Sequence, residues 1–513
     1  MQHLDVAQKY INLMAYTFSV LLTQSEEDLS LDRATDEYSA IFKSVKERFD
    51  EIRNNDVKTL FKTIDSLINE MDSAGLIRKP IYAEAICLCM DKQISYKDNH
   101  TIWENGLIYL FDMIPIQNDR PFVFRGSLNS NRKETGVCII PKFRVSMAET
   151  YVDSETKERP LSSRNMLYGI NRDLDNVGYY PWQEGVPNVQ HIILSDRQLP
   201  GIRDSRSQTS IAFSPISDYI HILDTEKKSN TEIGGKSCTG IFINGINEVE
   251  MLNEKYAQCW EKSCAVYPEV FFAPEMIATD DMVSVDNLRS RYLKPLLKKV
   301  AEAGKIPPRL TVMPTLWRNR ENKLLVFDEN GKQIGTQYKR KPFVNEKDHS
   351  VEALNVPPEN TDILLVHLKN KQRIAFAICS EFLIGHDDYV SDFLCKKLGA
   401  TLVLVPSYSH GEQDFANTIN AVKRFGTTVI WGNCCGAVPI TDDQPVERII
   451  GACSYAGTDE IQRFGNIKNC DSSCRGVQSC VFCVAIPARV EQNKPDSMTM
   501  PEILHLCDRI STK

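Results

Sequence analysis

The chain has 513 residues, 42% of them apolar and 25% charged, an ordinary balance for a polypeptide with a sizeable core and room for two to four domains. Its net charge of −8 excludes the broad basic footprint of a general nucleic-acid binder, so nucleic acid is not expected as a direct ligand. Sixteen cysteines scattered through apolar segments do not make a disulfide scaffold; they suit reduced thiols, and a cytoplasmic location is expected.

Residues 1–115 read as a mostly helical region. The apolar run from Ile11 to Leu22 follows an acidic residue, Asp5, and precedes the polar segment TQSEEDL. It lacks the basic lead and small-residue cleavage site of a signal peptide and is too short to span a bilayer, so it is expected to be the buried face of a helix, with no membrane contact. The segment YSAIFKSVKERFDEIRNNDVKTLFKTIDSLINEM spaces its apolar residues three and four apart over several helical turns. No repeat of fixed period is present.

Residues 116–207 form a loop-rich mixed segment, in which NDRPFVFRGSLNSNRKETG and DSETKERPLSSRN are dense in turn residues. Six basic residues and one acidic residue lie between Arg120 and Arg144, read here as a solvated loop face or as a contact for a polyanion or protein partner. From residue 208 strands and helices alternate. SIAFSPIS is a strand. INEVEMLNEKYAQCWEKSCA carries one helical stripe through Ile246, Val249, Leu252, Tyr256 and Trp260. EVFFAPEMI is a strand, RSRYLKPLLKKVAEAGK a helix ending at glycine, and RLTVMPTLW a strand. NKLLVFDENGKQIGTQYK is a hairpin turning at Asn330-Gly331, and TDILLVHLKNKQRIAFAIC is a second one. Helices at DYVSDFLCKKLGA and FANTINAVKRFGT alternate with strands at TLVLVPSYS, TVIWGNC, RIIGACSYAG and VQSCVFCVAIP. The pattern predicts a layered α/β or α+β domain.

Three strand ends in this domain deliver reactive side chains: Glu275 after VFFAP, Lys339 after the first hairpin, and Cys379 after IAFAI. A thiol becomes a strong nucleophile as thiolate. A carboxylate beside it takes the proton, and an ammonium stabilises the oxyanion that forms on attack. Together the three suffice for acyl transfer at a carbon–nitrogen bond without metal or cofactor. Singly, each has an ordinary alternative: a packed core thiol, a solvated lysine, a loop glutamate.

Segments FFAPEMI, NKLLVFDENGKQIGTQYKRKPF, RIAFAICSEF, GATLVLVPSYS, NAVKRFGTTVIWGNCCGA and IIGACSYAGTDEIQRF resemble, in order, those of the nitrilase (carbon–nitrogen hydrolase) superfamily over residues 208–490. The resemblance implies a four-layer α-β-β-α sandwich, an amide or nitrile substrate, a cysteine thioester and a homodimer or larger homo-oligomer. It assigns Glu275 as base, Cys379 as nucleophile and Lys339 as oxyanion stabiliser, with Lys341 as the alternative if the hairpin slips. It also implies a second glutamate, for which Glu346 fits first and Glu352 second, and an oxyanion donor in the backbone N–H of Ser380. Residue 380 is often aromatic in the family and is serine here. The segment DTEKKSNTEIGGKSCTG lengthens the first connection, which bears on substrate access.

Cys470, Cys474, Cys480 and Cys483 have spacings reminiscent of zinc ligands, but the last two lie in a strand whose side chains alternate between faces, so structural thiols are expected. Cys434 and Cys435 are read as packing residues, and His410 as a pocket or surface residue. No HExxH, Walker A or GxGxxG motif occurs, and neither metal nor cofactor is expected. A second reading makes the nitrilase-like domain an assembly or sensing module whose residues 1–207 recruit a protein partner. Nitrilase domains occur in phage-defence proteins tied to reverse transcriptases, although no Tyr-x-Asp-Asp signature is present here. Residues 491–513 are taken as a tail.

Overall fold

The computed structural model describes scattered residues between 13 and 94 and strands at 123–124, 136–141, 177–182 and 189–194. It also describes most of 208–506 outside the intervals 217–221, 356–362, 369–371, 384–389, 410–412, 424–426, 438–449, 455–460, 465–478 and 488–502. The chain divides into two compact units: Met1–Arg144 with Val152–Val186 and Lys396–Gly399, and Val145–Tyr151 with Pro187–Cys395 and Ala400–Lys513.

In the first unit, α1 (Asp36–Ile52) packs against α2 (Arg78–Ile94), burying Val45 and Phe49 on one and Ala85, Ile86 and Met90 on the other. Leu13, Thr17 and Leu21 are helical and buried. Their four-residue spacing is that of one helix face, the burial expected for Ile11–Leu22. Strands β1 (Val123–Phe124), β2 (Gly136–Pro141) and β3 (Val177–Trp182) form an antiparallel sheet.

The second unit holds two large sheets. One runs β12 (Leu316–Arg318), β13 (Glu321–Asp328), β11 (Leu310–Val312), β8 (Val270–Phe272), β5 (Gln208–Phe213), β22 (Val481–Pro487), β23 (Ile503–Leu506), with β14 (Gln333–Tyr338) also paired to β13. The other runs β21 (Ile461–Phe464), β20 (Gly451–Ser454), β19 (Thr428–Asn433), β18 (Leu402–Ser407), β17 (Arg373–Phe376), β16 (Ile363–Leu368), β4 (Val189–Leu194). A smaller sheet joins β6 (Leu223–Ile233), β7 (Lys236–Ile246) and β15 (Val351–Glu352), and β9 (Val285–Asp286) pairs β10 (Arg289–Ser290).

The large sheets stack face to face. Gly432 of β19 lies so close to the Phe213 ring of β5 that a Cβ would sit 2.3 Å from it, and Gly335 of β14 meets Ile192 and Leu364 of the opposite sheet. Gln337 of β14 spans the layers, donating to the Phe376 carbonyl at 2.9 Å and accepting from the Leu364 N–H at 3.1 Å. On the far face of the first sheet lie α3 (Val249–Ser263) and α4 (Leu293–Glu302), where Tyr256 meets the Phe271 ring edge-on and Trp260 donates to Thr311 at 3.0 Å. On the far face of the second lies α5 (Gln413–Lys423), whose Phe415 stacks on Trp431 at 4.6 Å. The result is the expected four-layer α-β-β-α sandwich. Strands such as β8, β18 and β19 are buried along their whole length because both faces are covered, which is why they read as unbroken apolar runs.

The sandwich exceeds the expected 208–490 at both ends. β4, placed beforehand in the loop-rich segment, pairs in parallel with β16 over six residues, and β23, placed in the tail, pairs antiparallel with β22. Among the described residues no helix is long and apolar enough to cross a membrane.

Candidate active site

Central strands β5, β8 and β11 run parallel in one sheet, and β17, β18 and β19 run parallel in the other. Side chains just past their carboxyl ends face each other across the sandwich. Three residues after β8, Glu275 is fully buried, with Pro274 ahead of it and Met276 behind it in a left-handed conformation (φ 65°). Thr315 pins this turn: its N–H donates to the Pro274 carbonyl at 3.2 Å and its hydroxyl oxygen accepts from the Met276 N–H at 2.7 Å.

Three residues after β17, Cys379 also takes a left-handed conformation, φ 48°, at the start of a single 3-10 turn, Cys379–Phe382. That conformation is uncommon outside glycine and asparagine and costs about 1–3 kcal/mol, so the surroundings must impose it. Glu381 does so. Its two carboxylate oxygens accept from the Ile378 N–H at 3.1 Å and from the Arg340 N–H at 2.6 Å. The acidic residue two positions after the thiol therefore joins the Cys379 turn to the end of hairpin β13–β14. The N–H of Ser380, second in this one-turn helix, has no intrahelical acceptor and is free in that sense to donate elsewhere.

Lys339 follows β14 and is fully buried, its N–H donating to the Asn322 carbonyl at 2.8 Å. Its ammonium donates to Glu275 Oε1 at 2.8 Å and to Glu352 Oε2 at 2.6 Å. Lys341, the register alternative, is half-buried, and its backbone carbonyl accepts from the Ser380 hydroxyl at 3.4 Å. Glu352, expected second, places a carboxylate on the lysine; Glu346, expected first, lies outside the described residues. Glu352 is set by strand pairing with β7, which spacing from the lysine does not register.

Glu275 collects two more donors: Asn322 Nδ2 reaches Oε1 at 2.9 Å, and the Tyr408 N–H reaches Oε2 at 3.2 Å. Asn322 and Tyr408 lie within the sequence motifs, which mark no role for either. Both are strand-terminal residues, the only signal that could have singled them out. Burial raises the Glu275 pKa, the Lys339 ammonium opposes this, and the Glu352 charge adds to it; the net shift is upward. Burial disfavours the Lys339 ammonium, but Glu275 and Glu352 outweigh it and push its pKa up, so it stays charged. Burial, and then the neighbouring Glu275, raise the Cys379 pKa, which favours a neutral thiol at rest. The arrangement can pass the thiol proton to Glu275 as sulfur attacks. Of the three N–H donors of Lys339, two are held by carboxylates and one remains for an oxyanion.

Asn322 Oδ1 and Glu352 Oε1 are buried without a donor. Cys480 and Cys483 are buried beside or within β22, and Cys470 and Cys474 lie outside the described residues, as does His410. Cys434 and Cys435 are buried at the end of β19. Among the described residues no set of three His, Cys, Asp or Glu side chains is gathered as metal ligands.

No family model matches the chain, and no curated protein matches it. Among solved structures, an amidase from Nesterenkonia sp. AN1, bearing the acetamide moiety of fluoroacetamide covalently on its active-site cysteine, aligns at 12% identity and TM-score 0.31 over 60% of this chain and 92% of that one. An active-site variant of the same amidase, described as from the nitrilase superfamily, aligns at 12% identity and TM-score 0.29 over 51% and 87%. A glutamine-dependent NAD(+) synthetase from Cytophaga hutchinsonii aligns at 15% identity and TM-score 0.30 over 55% of this chain and 43% of that one. At these scores the likenesses carry no argument about chemistry, which rests on the site itself.

Proposed function

We propose that this protein hydrolyses carbon–nitrogen bonds through a Cys379 thioester. The observation that carries the reading is the convergence of Glu275, Lys339 and Cys379 in one buried cluster, with Cys379 held in a strained left-handed turn. Glu275 takes the thiol proton while sulfur bonds to the carbonyl carbon. The oxyanion is met by the remaining Lys339 N–H and the Ser380 N–H. Glu275 returns its proton to the nitrogen, the carbon–nitrogen bond breaks and ammonia or an amine leaves. Water, deprotonated by Glu275, then attacks the thioester, releasing an acid and restoring the thiol. An amine replacing water at this step would give acyl transfer.

Brief exposure to a reactive amide, followed by digestion and mass spectrometry, is expected to place the acyl group on the peptide containing Cys379. Equal labelling of the Cys379→Ala variant would remove the assignment.

A further inference from the structure

Glu352 reaches the site from a strand that belongs to neither large sheet. β15 is two residues long and pairs in parallel with β7, Val351 opposite Gly240 and Glu352 opposite Ile241, and the Ala353 N–H donates to the Ile241 carbonyl at 2.8 Å. Its other side meets the loop after Lys339: the Glu352 N–H donates to the Phe343 carbonyl at 2.8 Å, and the Phe343 N–H returns to Glu352 Oε2 at 2.8 Å. That loop leans on Glu352 itself, so the outside support of the carboxylate comes from β7.

The hairpin of β6 and β7 is tied to this region along its rim. Lys227 pairs with Asp348 in the loop that leads into β15. Arg320, in a left-handed turn between β12 and β13, donates through Nε to the Ala353 carbonyl at 2.8 Å and through Nη2 to the Glu232 carbonyl at 3.4 Å. Its guanidinium lies over the Phe242 ring at 5.8 Å. Meanwhile β6 is exposed from Asp224 to Asn230, so this arm contributes little to the apolar core. At its base the Asn247 N–H donates to the Ile222 carbonyl at 2.8 Å, so the chain enters and leaves at one point. An arm that adds little core, closes on itself and hydrogen-bonds the strand carrying an active-site carboxylate has a positioning task.

We propose that the β6–β7 hairpin holds Glu352 against Lys339 and thereby sets the charge around Glu275 and Cys379. The proposal rests on the Glu275–Lys339–Cys379 reading above. The titratable groups facing Glu352 are Lys339 and, beyond it, Glu275 and Cys379; nearby Arg340 and Glu381 are paired with each other at 3.6 Å.

The register, with Leu223 opposite Ile246, allows Asp224–Gly245 to be replaced by Asn-Gly as a two-residue turn. The full-length chain so altered, Glu352→Gln, and the two combined are compared with the parent by the pH dependence of Cys379 alkylation with iodoacetamide and of kcat/KM on a simple amide. Glu352→Gln removes a charge that raises Glu275 and leaves Lys339 with one carboxylate, so both profiles move to lower pH. Excision is expected to move them the same way by at least half as much, and to add nothing in the Glu352→Gln background. An excised protein with the parent's profile, or a shift that adds in full to Glu352→Gln, overturns the proposal. If the excised chain does not fold, Arg320→Ala serves: a smaller shift in the same direction, absent with Glu352→Gln, supports the proposal, and an unmoved profile overturns it. Should the parent show no Cys379-dependent amide turnover while the alkylation profiles still shift together, the hydrolase reading fails and the positioning role stands.

Discussion

Cys379, Glu381 and Arg340 show how one carboxylate can set the geometry of another residue's chemistry. Glu381 accepts from the Ile378 and Arg340 N–H groups and so fixes the left-handed turn at Cys379; Glu381→Gln, which replaces one acceptor oxygen by an amide donor, is expected to slow the proposed Cys379 acylation about 10–100-fold, as loss of one charge-assisted hydrogen bond of roughly 1.5–3 kcal/mol implies. Stopped-flow acylation with a chromogenic amide reads this. With Lys339 as the proposed oxyanion donor, Lys339→Met is expected to cost on the order of 10²–10³ in rate, whereas Lys341→Met, at a half-buried position, stays near the parent. Asn322→Leu removes a hydrogen bond to ionised Glu275, whose pKa burial already raises, so the acid limb of kcat/KM is expected to move to higher pH. An acid limb that moves down would contradict this. That Glu275, Lys339 and Cys379 come together was legible because each is a reactive side chain at a strand end. Glu352 was ranked behind Glu346 because distance along the chain from the lysine carries no record of which residue pairs with β7.

At the scale of elements, local pattern carried most of the second unit. The hairpin β13–β14 turns where Asn330-Gly331 suggested, with Gly331 at φ 71° and Asp328 accepting from the N–H groups of Asn330 and Lys332. β4 and β23 escaped notice because six or fewer apolar residues bounded by turn signals do not announce a partner far away in the chain. The close approach of the sheets was equally hidden. Gly432→Ala sets a methyl 2.3 Å from the Phe213 ring, inside a packed layer where neither side can retreat freely. Overpacking of this kind costs about 1–3 kcal/mol and should lower the thermal midpoint by several degrees in calorimetry. An unchanged midpoint would mean that the sheets are further apart than described.

Across the whole molecule, the second unit takes up the chain at Pro187, just ahead of β4, which pairs with β16 at the sheet edge. A fragment trimmed to 208–490 lacks β4 and β23 and exposes two strand edges, β16 and β22. It should therefore melt lower and aggregate more readily than one spanning 187–513, and equal melting would contradict the sheet order. On the proposed reading, the buried neutral thiol of Cys379 is activated by Glu275 at the moment of attack. The most direct test is a rapid-quench time course with an activated short-chain anilide, whose good leaving group makes thioester hydrolysis the slow step, read by peptide mass spectrometry. The account predicts that the acyl group appears on Cys379 of the parent, and on the order of 10²–10³ more slowly in Lys339→Met. An acyl group found on another residue, such as Cys434 or Cys435, or equal rates in the two proteins, would contradict it.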